Sequence, residues 1–150
     1  MERQFGNYLI SDDKARLQTD RVYELLHATY WANVRSRETI ERTIANSLCF
    51  GVYDRGEQIA FCRCVTDDAT MFWLADVIVD ERYRRRGIGN AMVEAVLSHE
   101  RLQGLVGILS TRDAHGLYRR AGFVAAEPNH FMRKPALPRP PAEQGESNSQ

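Results

Sequence analysis

Apolar positions along the chain recur with two different periods, and the changes of period mark out its elements. Between 17 and 30, Leu17, Val22, Leu25, Leu26 and Tyr30 recur at spacings near those of an α-helix, which predicts an amphipathic helix. "SRETIERTIANS" (36–47) opens with Ser36 and Thr39, places Ile40 and Ile44 four apart, and predicts a second helix. Ahead of both, "FGNYLIS" (5–11) reads as one short strand, and Ser11, Asp12 and Asp13 after it are helix-capping types. Three strand-like runs follow at 48–54, 57–67 and 70–80, joined by turns at Asp54-Arg55-Gly56 and Asp67-Asp68-Ala69. Connections that short imply an antiparallel meander.

The second half alternates helix and strand. A helix over 87–99 carries Ile88, Ala91, Met92, Val93, Ala95, Val96 and Leu97, and "GLVGILST" (104–111) is nearly all apolar, as a strand buried on both faces would be. A short helix (114–121) ends at Gly122, a residue type that commonly follows a helix C-terminus. "FVAAE" (123–127) and "HFMRK" (130–134) read as a closing hairpin about Pro128-Asn129. The order β-α-α-β-β-β-α-β-α-β-β describes one mixed α/β domain over residues 1–134. "KPALPRPPAEQGESNSQ" (134–150) holds four of the five prolines and cannot bury an apolar face, so 135–150 reads as a flexible Pro-rich tail.

Charge and composition then narrow the partners. Lys plus Arg is 20 and Asp plus Glu is 20, and the formal net charge is zero, which argues against a nucleic-acid partner. No apolar run approaches the ~18 residues of a membrane span, so no membrane partner is expected. The opening "MERQFGNYLISDDKAR" lacks the apolar stretch of a secretory leader, and a cytoplasmic location is expected. Cys49, Cys62 and Cys64 form no C-x-x-C pair. Cys62 and Cys64 stand two apart, on one face of a strand, and are expected in the core; no structural metal is expected.

Candidate chemistry concentrates in "ERYRRRGIGNAMVEAV" (81–96). An apolar strand feeds a loop whose glycines open a helix, and the first N–H groups of a helix lack internal partners and carry partial positive charge. Phosphate is the expected ligand of such an end. The loop is not a Walker A sequence, because Asn90-Ala91 follow Gly89, and it lacks the third glycine of a dinucleotide fingerprint. What stands is R-x-x-G-x-G, Arg84 to Gly89. On these residues alone, a phosphate loop and a glycine turn beside a solvated arginine face are both open.

"ADVIVDERYRRRGIGNAMVEAV" resembles the acyl-CoA-binding motif of the GNAT acetyltransferase superfamily, [QR]-x-x-G-x-[GA] after a strand. Further on, "TRDAHGLYRRAGF" resembles that superfamily's later motif, a short helix with a Tyr shortly before Gly-Phe. The order of elements over 5–134 is similar to the family fold. The resemblance implies an N-acetyltransferase with acetyl-CoA as co-substrate and no metal. It implies that the pyrophosphate rests on Arg84, Arg85, Arg86, Gly87, Ile88, Gly89 and Asn90, with Gly87 and Gly89 least replaceable. The pantetheine arm would lie along Val77, Ile78 and Val79, in a V-shaped slot between that strand and the next, and an amide near Val77 would polarise the acetyl carbonyl.

The implied reaction is direct attack by a primary amine of a small molecule or a protein. Tyr118 takes the position of the acid that protonates the departing thiolate, unless it only packs. Asp76, an acid inside an apolar strand, would be the general base, a contact to the substrate ammonium, or a structural ion pair. His115 is a second candidate base. Tyr30, Trp31, Phe72 and Trp73 would wall the acceptor pocket or belong to the core, and Glu24 and Glu41 are alternatives for holding a cationic amine. Thr111 stands where the family often has an Asn that contacts the cofactor, and Asp113 is expected to cap the following helix. Transfer of a longer acyl chain, and an acyl-CoA-binding sensor without catalysis, are the alternative functions. A homodimer is compatible with the fold, and nothing in 12–47 names the acceptor.

Overall fold

A computed structural model describes residues 1–136. The first strand of the sequence reading is instead a hairpin: β1 (Glu2–Phe5) and β2 (Tyr8–Ser11) pair antiparallel about Gly6, whose φ is 58°. A left-handed glycine reverses the chain inside a stretch whose alternation reads as continuous. Asp13 caps only a short 3-10 turn, Lys14–Arg16, and α1 (Thr19–His27) begins after it. α2 (Arg37–Ala45) is capped as expected, the Ser36 hydroxyl accepting from the Thr39 N–H at 3.2 Å.

β3 (Leu48–Asp54), β4 (Glu57–Thr66) and β5 (Met71–Val79) form the expected antiparallel meander. α3 (Ile88–Leu97) carries the chain over to β6 (Val106–Ile108), which lies parallel to β5. α4 (His115–Arg120) follows. The sheet runs β1-β2-β3-β4-β5-β6. α1 and α2 cover one face through Val22, Leu25, Leu26 and Ile40 on Cys49, Phe61 and Ile78. α3 and α4 cover the other, with Ile88, Met92, Val93, Val96 and Tyr118 packed on Ile10, Phe50, Val52, Cys62, Cys64, Phe72 and Leu74. Cys62 and Cys64 thus share one buried face as read, and burial pushes the Cys64 thiol up to about 12.

Two further expectations are corrected. The apolar run 104–111 is not buried on both faces: β6 keeps three residues of it, lies at the sheet edge, and leaves Val106 63% exposed. No closing hairpin forms among the described residues, so the order is β-β-α-α-β-β-β-α-β-α. The turn itself is present, the His130 N–H donating to the Glu127 carbonyl with Asn129 left-handed, but its arms form no ladder. Val124 and Met132 are almost fully exposed, so no packing enforces the pairing. Of the expected tail, only Pro135 and Ala136 lie within the described residues. Among the described residues no helix is long and apolar enough to cross a membrane.

Candidate active site

The loop between β5 and α3 is built from its anchors outward. Asp80 ends the strand and caps a 3-10 turn, Glu81–Tyr83, its Oδ1 accepting from the Arg82 N–H at 2.9 Å. Its other oxygen accepts from Arg82 and from Arg21 of α1, both at 2.8 Å. The Arg82 guanidinium above all holds this carboxyl well below the usual range. Tyr83 donates to Asp54 Oδ2 at 3.1 Å and carries the Arg86 guanidinium 5.0 Å over its ring. Arg86 also donates to the Tyr8 hydroxyl at 3.3 Å and the Arg82 carbonyl at 3.1 Å. Arg86 is therefore a brace of the loop, while Arg84 reaches the Val79 carbonyl at 3.4 Å and Arg85 makes no hydrogen bond among the described residues.

Two left-handed residues, Arg85 (φ 62°) and Gly87 (φ 78°), then turn the chain into α3. The Gly87 carbonyl accepts the first helical bond, from the Ala91 N–H at 3.0 Å. The N–H groups of Ile88, Gly89 and Asn90 find no acceptor among the described residues. Three converging amides at the positive end of a ten-residue helix form a cradle for an anion. The two glycines differ. A Cβ at Gly87 would stand 3.2 Å from Phe5 in a left-handed backbone, whereas a Cβ at Gly89 would meet nothing nearer than 3.9 Å. The protein's own packing accounts for Gly87 and not for Gly89.

Beside this cradle the sheet opens. β5 pairs with β6 only through Met71↔Val106, Phe72↔Gly107 and Trp73↔Ile108. From Leu74 to Val79 the backbone groups of β5 that point away from β4 have no strand partner among the described residues. Val77, Ile78 and Val79 lie on this open stretch, leading directly to the loop. Opposite it, β5 carries an extra residue: two steps of β4, Phe61 to Arg63, face three steps of β5, Ile78 to Ala75. The bulge reverses which face each side chain takes. Phe72 and Leu74 before it pack toward α3, and Ile78 after it packs toward α1 and α2.

Asp76 sits in that bulge with a left-handed backbone (φ 55°). Its side chain is 2% exposed, and Oδ2 accepts from Arg35 Nη1 at 2.7 Å and Arg63 Nε at 2.6 Å. Arg63 also donates to the Ser47 hydroxyl at 3.3 Å. The carboxylate is thus turned inward and engaged by two guanidiniums, an arrangement that compensates a buried charge. Sequence reasoning missed both arginines. Arg63, between Cys62 and Cys64, carried the same signal as Asp76, a charge inside an apolar strand; Arg35, in the segment between α1 and α2, carried none.

Tyr118 packs in the α3–α4 core, 9% exposed, edge-on to Phe123 with ring centroids 5.9 Å apart. Burial pushes its phenol up to about 12. Thr111, His115 and Tyr118 line a cavity of about 390 Å3 between β6 and residues 123–126. The Thr111 hydroxyl accepts from the Ala114 N–H at 3.0 Å, in the turn ahead of α4, and the cap expected of Asp113 does not form, Ala114 being the N-cap without a side-chain bond. On the acceptor side Phe72 is core, while Tyr30 and Trp31 are exposed and meet edge to face. Glu24 and Glu41 are held by Arg21 and Arg37, at 2.5 and 3.0 Å.

A glycine-opened helix end thus stands beside a parted parallel strand pair, and comparison with known proteins shows the family. The acetyltransferase (GNAT) domain matches residues 45–125, and the chain belongs to that family of acyltransferases. An amino-acid acetyltransferase of Pseudomonas fluorescens is 36% identical over 106 residues, 68% of this chain. The chain spans 23% of that relative's length. A GNAT-family protein from Xanthomonas campestris pv. campestris superposes with a TM-score of 0.83 at 37% identity, over 89% of this chain and 96% of that one. A GNAT acetyltransferase from Elizabethkingia anophelis, solved with acetyl-CoA bound, shares the fold with a TM-score of 0.64 at 18% identity, over 82% of this chain and 80% of that one.

Proposed function

We propose that this protein transfers the acetyl group of acetyl-CoA to the primary amine of a small molecule. The observation that carries the reading is the adjacency of three amides, at Ile88, Gly89 and Asn90, to the edge of β5, both without partners among the described residues. The pyrophosphate fits the cradle, with Arg85, a cation unpaired among the described residues, beside it. The pantetheine amides find partners along Val77, Ile78 and Val79, which brings the thioester toward the bulge. An N–H there, at or next to Val77, stabilises the oxyanion as the amine nitrogen attacks the carbonyl carbon. The C–N bond forms, the C–S bond breaks, the amine's proton leaves to water, and the thiolate takes a proton from the Tyr118 phenol. The Tyr118 phenol, pushed up to about 12 by burial, is protonated throughout the neutral range and so has a proton to give, which the solvent then restores.

Asp76 is assigned a positioning role, because its buried carboxylate is engaged by Arg35 and Arg63 rather than turned toward an incoming amine. The name of the Pseudomonas relative, an amino-acid acetyltransferase, favours a small-molecule acceptor over a protein one. Calorimetric titration with acetyl-CoA, joined to a CoA-release assay over a panel of amines, tests the reading. Binding that Gly89→Glu abolishes, together with amine-dependent CoA release, is the expected result. Undiminished acetyl-CoA affinity in Gly89→Glu overturns the cradle assignment.

A further inference from the structure

The side chains at the acceptor end carry a charge pattern that the acetyl-transfer reading does not use. Arg112 lies in the segment after β6, on the far side of the parted strands, and its guanidinium carbon sits 3.8 Å over the Tyr30 ring. Tyr30 belongs to the segment between α1 and α2, which Arg35 ties to the bulge through Asp76. This contact joins the segment after β6 to the segment between α1 and α2. A guanidinium stacked by its face keeps its in-plane N–H donors free, and stacking on a ring restricts the side chain in advance. Among the described residues Arg112 makes no hydrogen bond and no ion pair, nor one to its neighbour Asp113. Three acids considered for a cationic amine are already engaged: Glu24 by Arg21, Glu41 by Arg37, and Asp76 by Arg35 and Arg63.

Resting on the acetyl-transfer reading above, we propose that the acceptor is an amine that also bears a carboxylate, and that Arg112, braced by Tyr30, receives that carboxylate. The planar fork of an arginine matches a carboxylate with two parallel N–H···O bonds, and a monovalent cationic amine would gain nothing from it. Arg112 is then a specificity-determining residue, removed from the reacting atoms.

The test is a CoA-release assay at saturating acetyl-CoA with α- and ω-amino acids of increasing length, the carboxamide of each, and simple diamines. The expected result is turnover of one or more amino acids, with the matching carboxamides slower by about tenfold or more in kcat/KM. Arg112→Gln raises KM for the acid by about tenfold or more with a smaller change in kcat, Arg112→Lys restores part of the loss, and acetyl-CoA affinity is the same in all three proteins. Carboxamides or diamines turned over as well as the acids, or an unchanged KM in Arg112→Gln, overturn the inference while leaving acetyl transfer intact. CoA release with no amine of the panel, despite acetyl-CoA binding, overturns the small-amine reading and this inference with it.

Discussion

Arg35 donates to Asp76 Oδ2 at 2.7 Å, across 41 positions of sequence, and fastens the segment between α1 and α2 to the bulge of β5. The bond joins that segment to the turn of backbone beside Val77, where the proposed oxyanion amide lies. Arg63 approaches the same oxygen from β4 at 2.6 Å, so three elements meet on one carboxylate. Asp76 pays for its left-handed backbone with these bonds, and an Asp is among the residues that tolerate that conformation best.

Asp76→Asn isolates the charge from the shape, since Asn also tolerates a left-handed backbone. It leaves two partly buried guanidiniums without their counter-ion, and we expect a loss of about 3–5 kcal/mol in stability by chemical denaturation. Turnover should fall while acetyl-CoA affinity holds, and the acidic limb of the kcat/KM profile should keep its position. Loss of that limb would make Asp76 the base after all.

The two loop glycines should separate cleanly. Gly87→Ala places a Cβ in a left-handed backbone against Phe5 and should cost about 1–2 kcal/mol or more of stability. Gly89→Ala meets no neighbour closer than 3.9 Å and sits at a helical position, so stability should be unchanged or higher by up to about 1 kcal/mol. Its acetyl-CoA affinity should nevertheless fall, as titration would measure. A Gly89→Ala protein that binds as tightly as wild type would remove the need for close approach at that amide.

Tyr118→Phe should lower kcat by about tenfold to a hundredfold and leave acetyl-CoA affinity unchanged. An ordinary tyrosine is half ionised near pH 10, whereas burial holds this one up to about 12. The kcat of the wild-type enzyme should therefore show no fall between about pH 8 and 10 from loss of its acid. A falling limb near pH 10 that Tyr118→Phe abolishes would contradict the buried environment described above.

Acid stability should depend on Asp80. Its carboxyl is depressed in the folded protein, chiefly by Arg82 and further by Arg21, below the about 3.9 of an unfolded aspartate. A depressed acid contributes stability that is full above the unfolded value and is lost as pH falls below about 4 toward the folded one. Asp80→Asn should lower stability at neutral pH and flatten its decline in acid, as denaturation series at several pH values would record.

Much of the fold was legible in the sequence because local periodicity states it. The two amphipathic helices, the antiparallel meander and the glycine-opened helix each declare themselves over a single run of residues, and R-x-x-G-x-G falls at the start of α3, where the sequence puts it. Apolar alternation could not reveal the hairpin about Gly6 or the bulge at Asp76, since both depend on one residue taking a left-handed backbone inside an otherwise regular stretch. Nor could it tell that 104–111 would end at a sheet edge, because an apolar run is the same whether or not a neighbour covers it. The tertiary structure alone decided the partners of the charges: that Arg86 braces Tyr8 and Tyr83, that Asp76 turns inward to Arg35 and Arg63, and that Arg112 lies over Tyr30. Sequence records which charges exist, but their partners are set by distance in space, and Arg35 reaches Asp76 across 41 positions and Arg86 reaches Tyr8 across 78.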